Sequence, residues 1–186
     1  MSGRCPVVVA AGGTGGHLFP AAALSHVLAA RGMEVHLITD ERALKYGGDF
    51  PAHAVHKVAA ATPSSGALLS RAMAIFTLIR GTVAARRLVK RIRPRAVIGF
   101  GGYSTVPPML AATRLHVPTL LHEGNAVIGR ANRFLASRVD AIAQGFEVLG
   151  GLPGTLAVKT HLTGNPVRPM VIDARAPFPD FADGTL

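Results

Sequence analysis

Cysteine is nearly missing from this chain of 186 residues. Cys5 stands alone, which excludes an internal disulfide and a thiolate metal cluster and suits a reducing cytosol. Aromatic residues make up 5% of the sequence, too few for base-stacking platforms, and no nucleic-acid module is recognisable, so nucleic acid is not an expected partner. No third ligand stands at zinc spacing from His122 and Glu123, so no metal is expected. No apolar run reaches the roughly 18 residues needed to span a bilayer, because Arg71 and Arg80 interrupt the best candidate. A secretory leader is not expected either, since the apolar run 6–11 is broken at once by glycines.

The last absence is of negative charge. Between Asp49 and Glu123 no acidic residue occurs, yet ten cations do, from Lys57 to Arg114. Over the whole chain 20 Lys and Arg face 10 Asp and Glu, a net charge of +10, and most of the cations are Arg, which forks onto phosphate oxygens. An anionic partner is expected. Within the acid-free stretch, the helix half 68–79 is apolar around most of its circumference. One face must cover a sheet; the surplus, with Leu69, Met73, Phe76 and Ile79 beside Arg80, Arg86 and Arg87, suits an anionic lipid headgroup layer. A buried crossover helix with a solvated basic end has the same pattern.

What is present is a core-forming 49% of hydrophobic residues, enough for one domain with a tail. Short apolar runs, glycines and helical patterns alternate, the signature of βα units in a Rossmann-like, doubly wound, mostly parallel α/β sheet. Strands are predicted at 6–11, 33–39, 54–58, 95–103, 117–125 and 140–144. Helices are predicted at 18–31, stopped by Gly32, and at 67–92, capped by Ser64 or Ser65 and barred by Pro94. A further helix N-terminus follows Gly102, and another helix covers 128–136. Residues 1–165 read as the domain and 166–186 as a Pro-rich linker. Such sheets gather ligands at the carboxyl ends of their strands, so the glycine loops, "HEGN" and "GNPVR" are expected on one rim.

The first loop, "AAGGTGGHLFP", places four glycines in five positions. Gly12, Gly13, Thr14, Gly15 and Gly16 leave amides uncovered at a helix start, a cradle for phosphate. His17 and Leu18 stand where a Walker loop needs Lys and Ser/Thr, which excludes ATP hydrolysis of that type. Leu18 also occupies the third glycine site of a dinucleotide fingerprint, but Asp40 stands where a ribose-binding acid would, so a nicotinamide oxidoreductase is a rival reading. His17 beside the cradle is a candidate general base, or a plain hydrogen-bonding cap. Gly101 and Gly102 before Tyr103 open a second helix, where Ser104 or Thr105 caps it or bonds a ligand oxygen. His122, Glu123 and Asn125 follow a fully apolar strand, as a functional cluster or a hydrogen-bonded turn. Arg168 ends a Pro-stiffened turn.

Taken in order, "GGTGGHLFPA", "GFGGYSTVP", "LLHEGNAVIGRANR" and "LTGNPVR" resemble the N-terminal half of the bacterial peptidoglycan glycosyltransferases of MurG type, across nearly all of 7–168. The resemblance implies an inverting GT-B enzyme, two Rossmann-like domains facing a cleft, with no cofactor and no tightly held metal. It implies transfer of N-acetylglucosamine from UDP-N-acetylglucosamine to undecaprenyl-diphospho-muramoylpentapeptide, peripherally on the cytoplasmic face of the inner membrane. Carried over, Thr14, Gly15, Gly16, Asn125 and Arg168 meet the donor. Gly12, Gly13, Gly101, Gly102, Tyr103, Ser104, His122 and Glu123 line the acceptor side, and His17 is the base. Gly124 stands where familiar members have Gln, and "KVAAATPSSG" replaces a basic glycine loop. The family's second, donor-binding domain has no counterpart after Leu186. The chain is therefore expected to be a fragment or one partner of a split transferase, inactive alone. The alternative is a non-catalytic module that docks on membranes, binds lipid diphosphate and recruits a donor-binding partner.

Overall fold

The computed structural model describes residues 5–41, 50–62 and 68–175. Its strands are β1 (Pro6–Ala10), β2 (Glu34–Thr39), β3 (Ala54–Lys57), β4 (Ala96–Gly99), β5 (Thr119–Glu123), β6 (Ala141–Gln144) and β7 (Thr160–Leu162). They form one sheet in the order β3-β2-β1-β4-β5-β6-β7, every neighbouring pair parallel. The helices are α1 (Gly15–Ala30), α2 (Leu68–Ile92), α3 (Val106–Arg114), α4 (Arg130–Ala136) and the short α5 (Pro169–Asp173).

Strand alternation sorts the core onto the two faces of the sheet. Val8, Ile38, Val97, Leu121 and Ile142 point to one face and meet Ala85, Leu88 and Val89 of α2, Met109 of α3 and Leu135 of α4. Val7, Val9, Leu37 and Ile98 point to the other and meet Leu18 and Ala21 of α1. The sheet is thus covered on both sides, which is why its central strands read as unbroken apolar runs.

Helix α2 departs from the sequence expectation. By length and composition it is long and apolar enough to cross a membrane. Its second half, however, is built into the domain: Gly81, Ala85, Leu88 and Val89 are buried, and Gly81 lies so close to the main chain that an added Cβ would stand 2.1 Å from the Ala59 carbonyl oxygen. Its first half is more exposed, although Ala74 is buried there and Leu78 packs against the core.

Other boundaries shift for local reasons. α1 starts at Gly15, ahead of the expected 18, because the glycines that disfavour a helix elsewhere form its open first turn. β4 stops at Gly99, since Gly101 (φ +95°) and Gly102 (φ +76°) leave the extended region. β7 and α5 occupy segments in which no regular element was expected. The proposed Ser64 or Ser65 cap and residues 176–186 of the expected linker lie outside the described residues.

Candidate active site

The strand order reverses between β1 and β4, and at such a switch point the loops leaving the two strands part to opposite faces and open a crevice. Both glycine loops leave from here. Gly12 is needed for close packing: a Cβ would lie 2.5 Å from Ser104 Oγ and 2.9 Å from Thr39 Oγ1. Gly13 adopts φ +85°, and Thr14 takes an extended N-cap conformation without a side-chain capping bond. The first amides of α1 are therefore not covered by a capping side chain. In the second loop Thr105 donates its hydroxyl to the carbonyls of Gly101 (2.5 Å) and Ala10 (3.4 Å), tying that loop to the end of β1.

His17 sits between the two loops. A Cβ on Gly101 would stand 3.0 Å from Cδ2 and 3.1 Å from Nε2 of its ring; one on Gly102 would stand 3.4 Å from Nδ1 and 3.0 Å from the Gly12 carbonyl oxygen. Each of these glycines thus has two reasons to be glycine, its positive φ and the imidazole against it. Thr14 Oγ1 and His17 Nδ1 are 3.2 Å apart. With the ring proton on Nδ1 donated to Thr14, Nε2 is the nitrogen free to accept.

His17, Gly102, Tyr103, Glu123, Asn125 and Asn132 line a cleft of about 260 Å³. Glu123, only 2% exposed, is held by four N–H donors. Its Oε1 accepts from the Asn125 amide (3.0 Å) and Nδ2 (2.8 Å), and its Oε2 from the Gly129 amide (2.9 Å) and Asn132 Nδ2 (2.8 Å). His122 donates Nε2–H to the Gly164 carbonyl at 3.2 Å and packs on Phe100. Burial lowers its pKa, against the smaller opposing effects of Gly164 and the Glu123 charge.

The expected site residues differ in how far they reach solvent. Ser104, His122 and Glu123, expected at the acceptor, are nearly closed to solvent. Ser104 lies beneath Gly12, and His122 and Glu123 tie the β5 loop to its neighbours; they build the cleft from below. Asp40, the ribose-binding candidate of the nicotinamide reading, is buried at the end of β2. Asn125 is exposed beside the cleft, while Arg168 lies with its guanidinium carbon 4.0 Å from the Phe19 ring centroid.

Two residues were not anticipated. Asn132, 3% exposed, donates to the His122 carbonyl and to Glu123, while its Oδ1 has no hydrogen-bond partner among the described residues. A lone amide on the apolar face of α4 was the signal available. Phe19 is the other, an exposed residue and the lone Phe, Tyr or Trp of α1. Among the described residues no group of three or more His, Cys, Asp or Glu side chains is arranged to hold a metal ion.

Beyond the cleft, Leu69, Met73, Phe76 and Ile79 on α2 are each more than half exposed, and Arg80, Arg86 and Arg87 are exposed among them. An apolar groove of about 590 Å³ runs between α2 and α3, lined by Ile75, Ile79, Val83, Leu110 and Phe134, with Arg86 and Arg114 among its walls. Tyr103 lines both this groove and the cleft.

Residues 7–144 match the glycosyltransferase family 28 N-terminal domain. The UDP-N-acetylglucosamine–N-acetylmuramyl-(pentapeptide) pyrophosphoryl-undecaprenol N-acetylglucosamine transferase of Sinorhizobium fredii is 58% identical over 173 residues, 92% of this chain and 46% of the relative. The protein of the same description from Methylorubrum populi is 53% identical over 180 residues, 96% of this chain and 49% of the relative. Among solved structures, that of Acinetobacter baumannii MurG superposes with a TM-score of 0.66 at 28% identity, covering 81% of this chain and 46% of that one. The chain thus spans about half the length of the curated relatives it matches.

Proposed function

Because the chain belongs to glycosyltransferase family 28, we propose that it supplies the acceptor half of an inverting transferase of GT-B architecture. The reaction moves N-acetylglucosamine from UDP-N-acetylglucosamine to undecaprenyl-diphospho-muramoylpentapeptide, turning lipid I into lipid II for peptidoglycan. A donor-binding half, covalently joined or separate, completes the site.

The observation that carries this reading is the His17 imidazole lodged between two loops of uncapped amides at the switch point. In this assignment the loop amides of Gly12, Gly13, Gly101 and Gly102 hold the acceptor diphosphate, with Tyr103 beside it. His17 Nε2 accepts the proton of the acceptor sugar hydroxyl as its oxygen attacks the anomeric carbon, while Thr14 holds the tautomer that leaves Nε2 free. The bond to the UDP oxygen breaks on the opposite side, so configuration inverts. Charge growing on the departing diphosphate meets Gly15, Gly16 and Arg168, with Asn125 on the sugar-nucleotide.

The shared Tyr103 supports a lipid-linked acceptor: a polar cleft opens beside an apolar groove with arginines among its walls. The exposed apolar surface of α2 supports peripheral attachment to the cytoplasmic face of the membrane, with Arg80, Arg86 and Arg87 on anionic headgroups. Flotation with anionic vesicles tests this part; binding should be lost at high salt and in a Phe76→Glu, Ile79→Glu variant, and indifference to both would remove the membrane role.

The central experiment measures sugar transfer by this chain with and without an added donor-binding half. Transfer should need both. In the assembled enzyme His17→Ala should lower kcat by about 10²- to 10⁴-fold with acceptor affinity little changed. Near-normal turnover would take His17 out of the base role.

A further inference from the structure

We propose that Phe19 is a positioning residue: its ring is the platform that fixes the Arg168 guanidinium over the start of α1, and Gly15 is glycine to make room for that ring. The inference rests on the reading that Arg168 meets the donor diphosphate.

Phe19 lies one helical turn beyond Gly15, and side chains on a helix lean toward its N-terminus. Its ring lies back along the first turn, so that a Cβ on Gly15 would meet Cε2 at 2.9 Å and Cζ at 3.1 Å. Gly15 has no positive φ to explain it. The same ring carries the Arg168 guanidinium carbon at 4.0 Å from its centroid, well within cation–π range. The stack runs from loop backbone to ring to guanidinium, so the ring sets how far the cation stands from the amides of the first turn.

Core packing does not account for Phe19, which is 41% exposed. Nor does the main chain alone fix Arg168. The segment leading to it is tied down by His122 Nε2 on the Gly164 carbonyl and by Asn165 Nδ2 on the Gly124 carbonyl, both at 3.2 Å. Those bonds place the backbone of 164–165 but leave a long side chain with many rotamers three residues further on. No carboxylate pairs with Arg168 among the described residues. The aromatic face is what narrows its choice, and it does so without neutralising the charge that a diphosphate needs.

Two measurements test this. In the chain itself, NMR should show the Arg168 side-chain protons shifted upfield by the ring, with the shift lost in Phe19→Leu and kept in Phe19→Trp; unshifted protons in the unaltered chain would overturn the stack. In the enzyme assembled with a donor-binding half, Phe19→Leu should raise KM for UDP-N-acetylglucosamine about 3- to 10-fold, with kcat and melting temperature nearly unchanged, and Phe19→Trp should restore it. In an Arg168→Ala background Phe19→Leu should add nothing. An equal effect in both backgrounds, or none in the first, would overturn the role of Phe19 while leaving that of Arg168 in place. Unchanged KM in Arg168→Ala would instead overturn the donor contact itself, and Phe19's function with it.

Discussion

Glu123→Gln exchanges one oxygen for an NH2 group in a side chain that has room for no rearrangement. The carboxylate accepts four N–H donors, two on each oxygen, and all four come from the loop and helix that follow β5. In either amide orientation two of those donors face an N–H instead of an acceptor. Bonds to a charged acceptor are worth about 1.5–3 kcal/mol each, and the two that survive fall to the neutral value near 1 kcal/mol. Four bonds worth about 6–12 kcal/mol in all become two worth about 2, a loss of about 4–10 kcal/mol. For a domain of this size it corresponds to a drop of about 8–40 °C in melting temperature. If the β5 loop opens on its own first, the loss appears as local exposure instead, and the amides of Asn125 and Gly129 should exchange about 100-fold faster or more while the core stays protected. Thermal unfolding and amide exchange together cover both cases. A Glu123→Gln protein that melts within about 2 °C of the parent and keeps both amides protected would refute the assignment of this carboxylate as the tie that holds the cleft's edge.

Gly81→Ala should cost about 2–4 kcal/mol, seen as a lower urea midpoint, because the new methyl cannot share space with the Ala59 carbonyl and α2 must lift from the sheet. Stability should also fall in mild acid. Burial first, then the charges of His36 and Arg91, hold the pKa of His56 below the ordinary imidazole value, and burial does the same for His122. The fold favours the uncharged rings, so their contribution is intact above about pH 6.5 and is lost as the pH falls through that value toward the folded pKa values. His56 Nε2 lies 3.1 Å from His36 Nδ1 across β2 and β3, so a proton gained by His56 disturbs the contact between these strands. The melting temperature should drop between pH 7.5 and pH 5, and His56→Gln should flatten part of that drop; a flat profile in the parent would contradict it.

How much of this was legible in the sequence depended on how local each signal is. The buried parallel strands show as Val7–Ala10 and Val35–Thr39 because a strand covered on both faces has no polar alternation to blur it. Gly101 and Gly102 could be singled out because positive φ is written in the residue type itself. The cluster His122, Glu123 and Asn125 could be located but not interpreted, since a carboxylate that grips four chain donors and one that waits for a substrate have the same spelling; the partners at Gly129 and Asn132 decide it, and they become neighbours only when α4 packs on β5. The roles of Asn132 and Phe19 could not be read for a related reason. Nothing near Asn132 in the chain says that it faces His122, and nothing near Phe19 says that an arginine arriving after β7 will settle on it. The residues that a phosphate would touch are thus encoded within single loops, whereas those that aim them are encoded in the packing between elements. Substitutions in the first group should be felt mainly as lost chemistry in an intact fold, and substitutions in the second as altered affinity or local opening, and that division is what the Glu123 and Phe19 experiments separate.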